Sequence, residues 1–145
     1  MPGVLTVIVA SFLLPLPPRE LSPNSSRNGH WSIKAKAKKA YIEDCLLCIP
    51  REAKRLSLEK CIMHLTFYMQ KKVQKVTGKV VPDGLARPLD DDNAIAMFKS
   101  GRDSLEQAGV VANDKGIKIG TVKMLRSRAD CNGTIGVLVE IEVPD

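Results

Sequence analysis

No lysine or arginine stands ahead of the apolar run at residues 4–16, and no small-residue cleavage pattern follows it. Secretory leaders need both, so a leader is not the reading. The run is also too short to span a bilayer, and Pro15, Pro17 and Pro18 break its end. A buried strand that stops at a proline-rich turn accounts for it better. There is no internal repeat, which sets repeat architectures aside. No block of like charge forms a tail. No glycine follows the paired thiols of Cys45 and Cys48 to make the tight turn of a zinc knuckle.

What remains is one domain's worth of ordinary chain, residues 1–145, with an apolar fraction of 44% and few aromatics. The formal net charge is +6 and the isoelectric point is near 9.3. That excess favours an anionic partner, nucleic acid or membrane surface, and does not choose between them.

The four cysteines include Cys45-x-x-Cys48 and Cys61-x-x-His64, which on paper is zinc spacing. Local pattern argues otherwise. Cys45 and Cys48 fall within an apolar helical stretch beside Leu46, Leu47 and Ile49. Cys61 and His64 lie on an alternating strand, where positions three apart point to opposite faces. Reduced core thiols and a cytoplasmic location are the expectation, with a zinc-stabilised interaction domain as the competing one.

The periodicities predict an order β, α, β, α, β, β. Residues 4–14 read as a strand, and residues 15–29 as a loop. A helix runs from about Ile33 to Ile49, with Ser32 as its N-cap. Residues 61–70 alternate as a strand, followed by a lysine-rich excursion through Lys71, Lys72, Lys75 and Lys79. A second helix starts at Asp92 or Asn93 and ends near Ala108, with Gly109 in the left-handed position that closes a helix. Residues 116–125 form a strand. Asp130-Cys131-Asn132-Gly133 marks a turn, with Asn-Gly its strongest signal, and the unbroken alternation from Ile135 to Val143 puts one face of the last strand in the core. The predicted fold is α+β: a mixed sheet of about four strands with two main helices.

The chemistry concentrates at Asp90-Asp91-Asp92-Asn93, where a loop enters a helix, with Asp114 beyond that helix. On an extended segment Asp90 and Asp92 project to one side. Two such carboxylates can share magnesium, a hard cation that takes oxygen ligands. With Asp114 they form a candidate metal site in basic surroundings, the combination used for phosphodiester chemistry. Lys99, seven residues after Asp92, would share its helix face and stabilise charge on a phosphate. The plainer reading is that the aspartates cap the helix and complement its dipole, while Lys99 pairs with Asp103. A calcium loop fits poorly, since the third ligand and its glycine are missing.

The pattern resembles the RusA family of Holliday-junction resolvases, common in prophages. The resemblance is carried by Leu14-Pro15-Leu16-Pro17-Pro18, by the loop from Ser22-Pro23-Asn24 to His30-Trp31, by Asp90-x-Asp92-Asn93, and by Asp103-Ser104-Leu105 through Gly109-Val110 to Asn113-Asp114. It implies a small homodimer that binds four-way DNA junctions and nicks opposite strands with magnesium. Asp90, Asp92 and Asp114 would then be the catalytic, metal-holding aspartates. Some members carry a lysine three residues after the motif's asparagine, where this chain has Ala96; Lys99 falls one helical turn later. Arg27, His30, Lys34, Lys38, Lys71, Lys72 and Lys75 become candidate DNA contacts, giving salt-sensitive affinity rather than sequence reading. No membrane partner is expected. A non-catalytic basic DNA-binding module, whose aspartates only cap a helix, is the alternative function.

Overall fold

A computed structural model describes residues 6–18, 21, 31–69, 72–73, 80–81, 95–125 and 128–144. The first strand, β1 (Thr6–Leu14), leads to α1 (Trp31–Cys48), a 3-10 turn at Ala53–Arg55, and β2 (Cys61–Tyr68). Two short strands, β3 (Lys72–Val73) and β4 (Val80–Val81), pair antiparallel within the lysine-rich excursion. Then come α2 (Lys99–Ala108), a second 3-10 turn at Asp114–Gly116, β5 (Ile117–Leu125), the four-residue α3 (Arg128–Cys131) and β6 (Gly136–Pro144).

The main sheet has the order β1-β6-β2-β5. β6 runs antiparallel to both β1 and β2, and β2 runs parallel to β5. The architecture is therefore the expected α+β one, with a mixed four-stranded sheet and two main helices. Period-two alternation sends Phe12 and Leu14, Met63, Leu65 and Phe67, and Val137, Val139 and Ile141 to one face. The helices and the residues at their ends cover that face with Tyr41, Cys45, Ile49, Phe98 and Leu105. The opposite face carries Ile8, Leu13, His64, Glu140 and Glu142.

Boundaries differ in instructive ways. α1 begins at Trp31, so Ser32 lies inside the helix rather than capping it. Its first half is almost wholly exposed; Tyr41, Ile42 and Cys45 bury its second half. Of the last expected turn only the second half holds: Asn132 and Gly133 both have positive φ, while Asp130 and Cys131 end the short α3. It does not join neighbouring strands, because β2 lies between β5 and β6.

The second helix is not continuous. Residues 95–97 are helical, Phe98 departs to φ −84°, ψ 4°, and α2 starts at Lys99. The cause is packing. Phe98 is fully buried, meets Phe67 edge-on with ring centroids 6.1 Å apart, and lies directly over Gly101. Beyond it α2 buries the small residues Ser100, Gly101 and Ser104 together with Leu105. The Ser104 hydroxyl donates to the Gly101 carbonyl, satisfying a polar group that would otherwise be stranded. Small side chains on this face let α1 approach, and its Tyr41 hydroxyl donates to the Pro15 carbonyl at 2.6 Å, tying the helix to the end of β1.

A Cβ at Gly101 would fall 2.3 Å from a Phe98 ring carbon. Gly101→Ala is expected to destabilise by about 1–3 kcal/mol through overpacking. Alanine's advantage inside a helix, about 0.5–1 kcal/mol, opposes this and is smaller. Urea unfolding of the two proteins gives the sign; a more stable variant would mean that the ring moves aside freely.

Candidate functional site

Asp114 is held by backbone geometry on both sides. α2 ends at Gly109, whose φ of 88° is left-handed and whose N–H reaches the carbonyls of Glu106 and Leu105. Val110 and Val111 are buried and anchor the next two residues. The stretch then lies alongside the segment before β2. Ser57 N–H donates to the Gly109 carbonyl at 2.8 Å, Leu58 N–H to Val110 at 3.0 Å, and Ala112 N–H to Leu58 at 2.8 Å. Asn113 is extended, and its side-chain oxygen accepts from the Lys115 N–H at 2.9 Å, capping the turn that carries Asp114. Gly116 closes the turn against the Glu59 carbonyl, where a Cβ would stand 1.9 Å away. Only glycine allows the two backbones this close. The Asp114 side chain, partly exposed, thus projects from a pinned turn at the start of β5.

Asp90 and Asp92 lie outside the described residues, as do Asp91 and the expected cap at Asp92 or Asn93. Arg27, His30, Lys71 and Lys75 are outside them too. Lys72 opens β3. Lys34 is exposed near the start of α1. Lys38 is exposed and reaches the Asp103 carboxylate at 3.5 Å, so Asp103 pairs across the helices rather than with Lys99. Lys99 is the exposed first residue of α2. The departure at Phe98 means that helical periodicity counted from Asp92 does not locate Lys99; the alignment of the two on one face has to come from tertiary structure.

The four zinc-spaced residues do not assemble. Among the described residues, no group of three or more His, Cys, Asp or Glu side chains is close enough to hold a metal ion. Cys45 and Cys61 are buried, Cys48 is exposed on α1, and His64 faces the other side of β2 from Cys61. Both His64 ring nitrogens are engaged. Nδ1 accepts from the Thr121 N–H at 2.9 Å, which leaves Nε2 to donate to Glu142 at 3.0 Å. Glu142 also accepts from the Thr6 hydroxyl at 2.7 Å. These hydrogen bonds, from Thr6 first and then His64, hold the Glu142 carboxyl below its usual range. Sequence reading missed this cluster. Alternation places His64 and Glu142 away from the core, but only the β2–β6 register brings them together.

Desolvation raises the thiols. Burial pushes Cys45 up to about 11, against hydrogen bonding with Tyr41 and Ser104 that acts the other way, and burial raises Cys61 and Cys131 as well. Tyr41 is raised by burial and then by the neighbouring Cys45.

Compared with known proteins, the chain matches no family model and no curated protein. Among the described residues, no helix is long and apolar enough to cross a membrane.

Two outcomes follow from this geometry. Native protein treated with iodoacetamide at pH 8 should be modified at Cys48, with Cys45, Cys61 and Cys131 reacting only on unfolding; peptide mass mapping reads the order. Because the folded Glu142 is depressed, its contribution to stability is present above the unfolded carboxyl value and is lost as pH falls through the folded one. Glu142→Gln should therefore lower the melting temperature at pH 7 and leave it unchanged near the acid end of the titration. An equal loss at both pH values would show that the carboxylate's charge is irrelevant.

Proposed function

We propose that the protein is a magnesium-dependent, structure-selective endonuclease that resolves four-way DNA junctions by paired nicks, acting as a homodimer in recombination and repair. The observation that supports it best is Asp114, a partly exposed carboxylate on a turn braced by Asn113, Gly116 and the Leu58 pairing. Catalytic carboxylates need such rigid seating, and a mere solubilising residue does not. The spacing of Asp114 from Asp90-x-Asp92-Asn93, together with the resemblance to the RusA family, supplies the other two ligands.

In this reading Asp90, Asp92 and Asp114 hold magnesium through carboxylate oxygens, the donor type that ion takes. When bound, the ion contributes Lewis acidity toward the phosphodiester and eases deprotonation of water. Lys99, exposed at the start of α2, is the candidate for neutralising charge on the leaving 3′ oxygen. Lys34, with the basic residues of the 71–79 excursion and of the loop before α1, supplies phosphate contacts. Lys38 divides its charge between that role and Asp103.

The interruption at Phe98 favours a second reading, because it removes the simple helical link between Lys99 and the aspartates. In that reading the chain is a non-catalytic basic module and its aspartates serve only as a helix start.

Cleavage of a synthetic four-way junction decides between them. Wild-type protein with magnesium should nick opposite strands symmetrically and leave a linear duplex intact. Asp92→Asn and Asp114→Asn should each keep junction binding and lose at least about 100-fold in cleavage, the scale of losing a metal ligand or its support. Junction binding without cleavage in either magnesium or manganese would establish the second reading instead. Cleavage at the wild-type rate by Asp114→Asn would remove Asp114 from the site.

A further inference from the structure

Among the described residues, a further set of basic side chains adjoins the turn that carries Asp114. They come from two segments that the backbone lays side by side. After Pro50 the chain turns, with Ala53 and Lys54 N–H groups donating to the Pro50 carbonyl at 3.1 and 3.2 Å. Ala53 is buried, which leaves Lys54 and Arg55 exposed. The Lys54 carbonyl abuts Gly109, where a Cβ would come within 2.8 Å. The Ser57, Leu58 and Ala112 bonds then carry the pairing forward, Glu59 meets Gly116, and Lys60 immediately precedes the Cys61–Ile117 pair. Lys115 follows Asp114 in its turn, and Lys118 pairs in register with Ile62.

Lys54, Arg55, Lys60, Lys115 and Lys118 are all exposed, and among the described residues none takes part in an ion pair. Their backbones are anchored by the buried Ala53, Cys61, Val110, Val111 and Ile117 between them. Three carboxylates share these segments: Glu52 and Glu59, both exposed, and Asp114, whose charge would be offset by the ion it is proposed to hold. The α1 lysines belong to another element. Lys36 precedes the end of α1 by about 18 Å of helix, whereas this surface follows that end. The large apolar side chains here, Leu56 and Leu58, pack on the core rather than standing out as a membrane surface would need.

We propose that this surface seats the DNA sugar–phosphate backbone beside Asp114, with Lys54, Arg55, Lys60 and Lys115 as phosphate contacts. The inference rests on the nuclease reading above and names the part of the chain that positions its substrate. Cations that hold no ion pair among the described residues can meet phosphates without first breaking one, and a backbone already fixed by hydrogen bonds needs no loop ordering, leaving only the side-chain cost. They displace condensed counterions, so their removal changes the salt dependence as well as the affinity.

The test is junction binding by full-length protein in EDTA, measured by fluorescence anisotropy from 50 to 200 mM salt. The triple variant Lys54→Gln, Lys60→Gln and Lys115→Gln is compared with a control of equal charge, Lys36→Gln, Lys39→Gln and Lys123→Gln. Both sets are exposed, and unchanged melting temperatures verify folding. The first variant should bind about 10- to 100-fold more weakly at 150 mM salt, with its log–log salt slope shallower by about 2 to 3. The control should lose less than a third as much slope. Equal behaviour of the two variants would overturn this surface and leave the nuclease reading standing. Wild-type protein that fails to bind the junction, or that binds phosphatidylserine vesicles instead, would overturn both.

Discussion

Parallel pairing between β2 and β5 is the constraint on which the rest of the molecule depends. Two adjacent strands in sequence can pair antiparallel through a short turn, but parallel neighbours need a long crossover. Here everything from residue 69 to residue 116 is that crossover, including the Asp90–Asp92 motif, α2 and Asp114. The pairing does not begin at the formal strand. It starts at the Leu58–Val111 bridge and continues through Cys61–Ile117 to Tyr68–Leu125. The same backbone ladder that holds the sheet together therefore sets the position of the candidate carboxylate.

α2 has a second duty within that crossover. Its inner face is built of Ser100, Gly101, Ser104 and Leu105, so most of its contact with α1 comes from close approach rather than bulky side chains. The large side chain is Phe98, placed just before the helix and locked over Gly101. This arrangement keeps the end of α2 fixed relative to the sheet. Gly109 then turns the chain directly into the buried Val110 and Val111. A chain of small tolerances, each set by a glycine or serine, ends at Asp114.

Much of this was legible in the residues. The alternation from Val137 to Val143 marked the core-facing strand, although Ile135 before it is exposed, Gly109 marked the helix end, and the Pro-rich stretch after Leu14 marked the stop of β1. These are local signals, each carried by side-chain period or by one backbone preference. The β2–β5 pairing was not legible, because it joins segments more than fifty residues apart and leaves no periodic trace in either. Nor was the departure at Phe98, which a helical pattern runs straight through; it arises from the ring's fit between Phe67 and Gly101. For the site, the sequence located Asp114 on a turn after the helix but said nothing of Gly116 or Glu59, whose contact depends on the same long-range pairing. Asp90 and Asp92 stand on the motif and on the resemblance.

The two outer strands of the sheet share an irregularity. β1 slips register between Ile8 and Ala10, and β5 slips where Gly120 and Thr121 face His64, whose ring accepts the N–H that the ladder drops. A straight outer strand is a template onto which another chain can add, copy after copy, into fibres. Each slip bends the hydrogen-bonding row after a few residues, so an incoming strand loses step before it gains a stable hold. At high local concentration this protects the sheet from growing end to end.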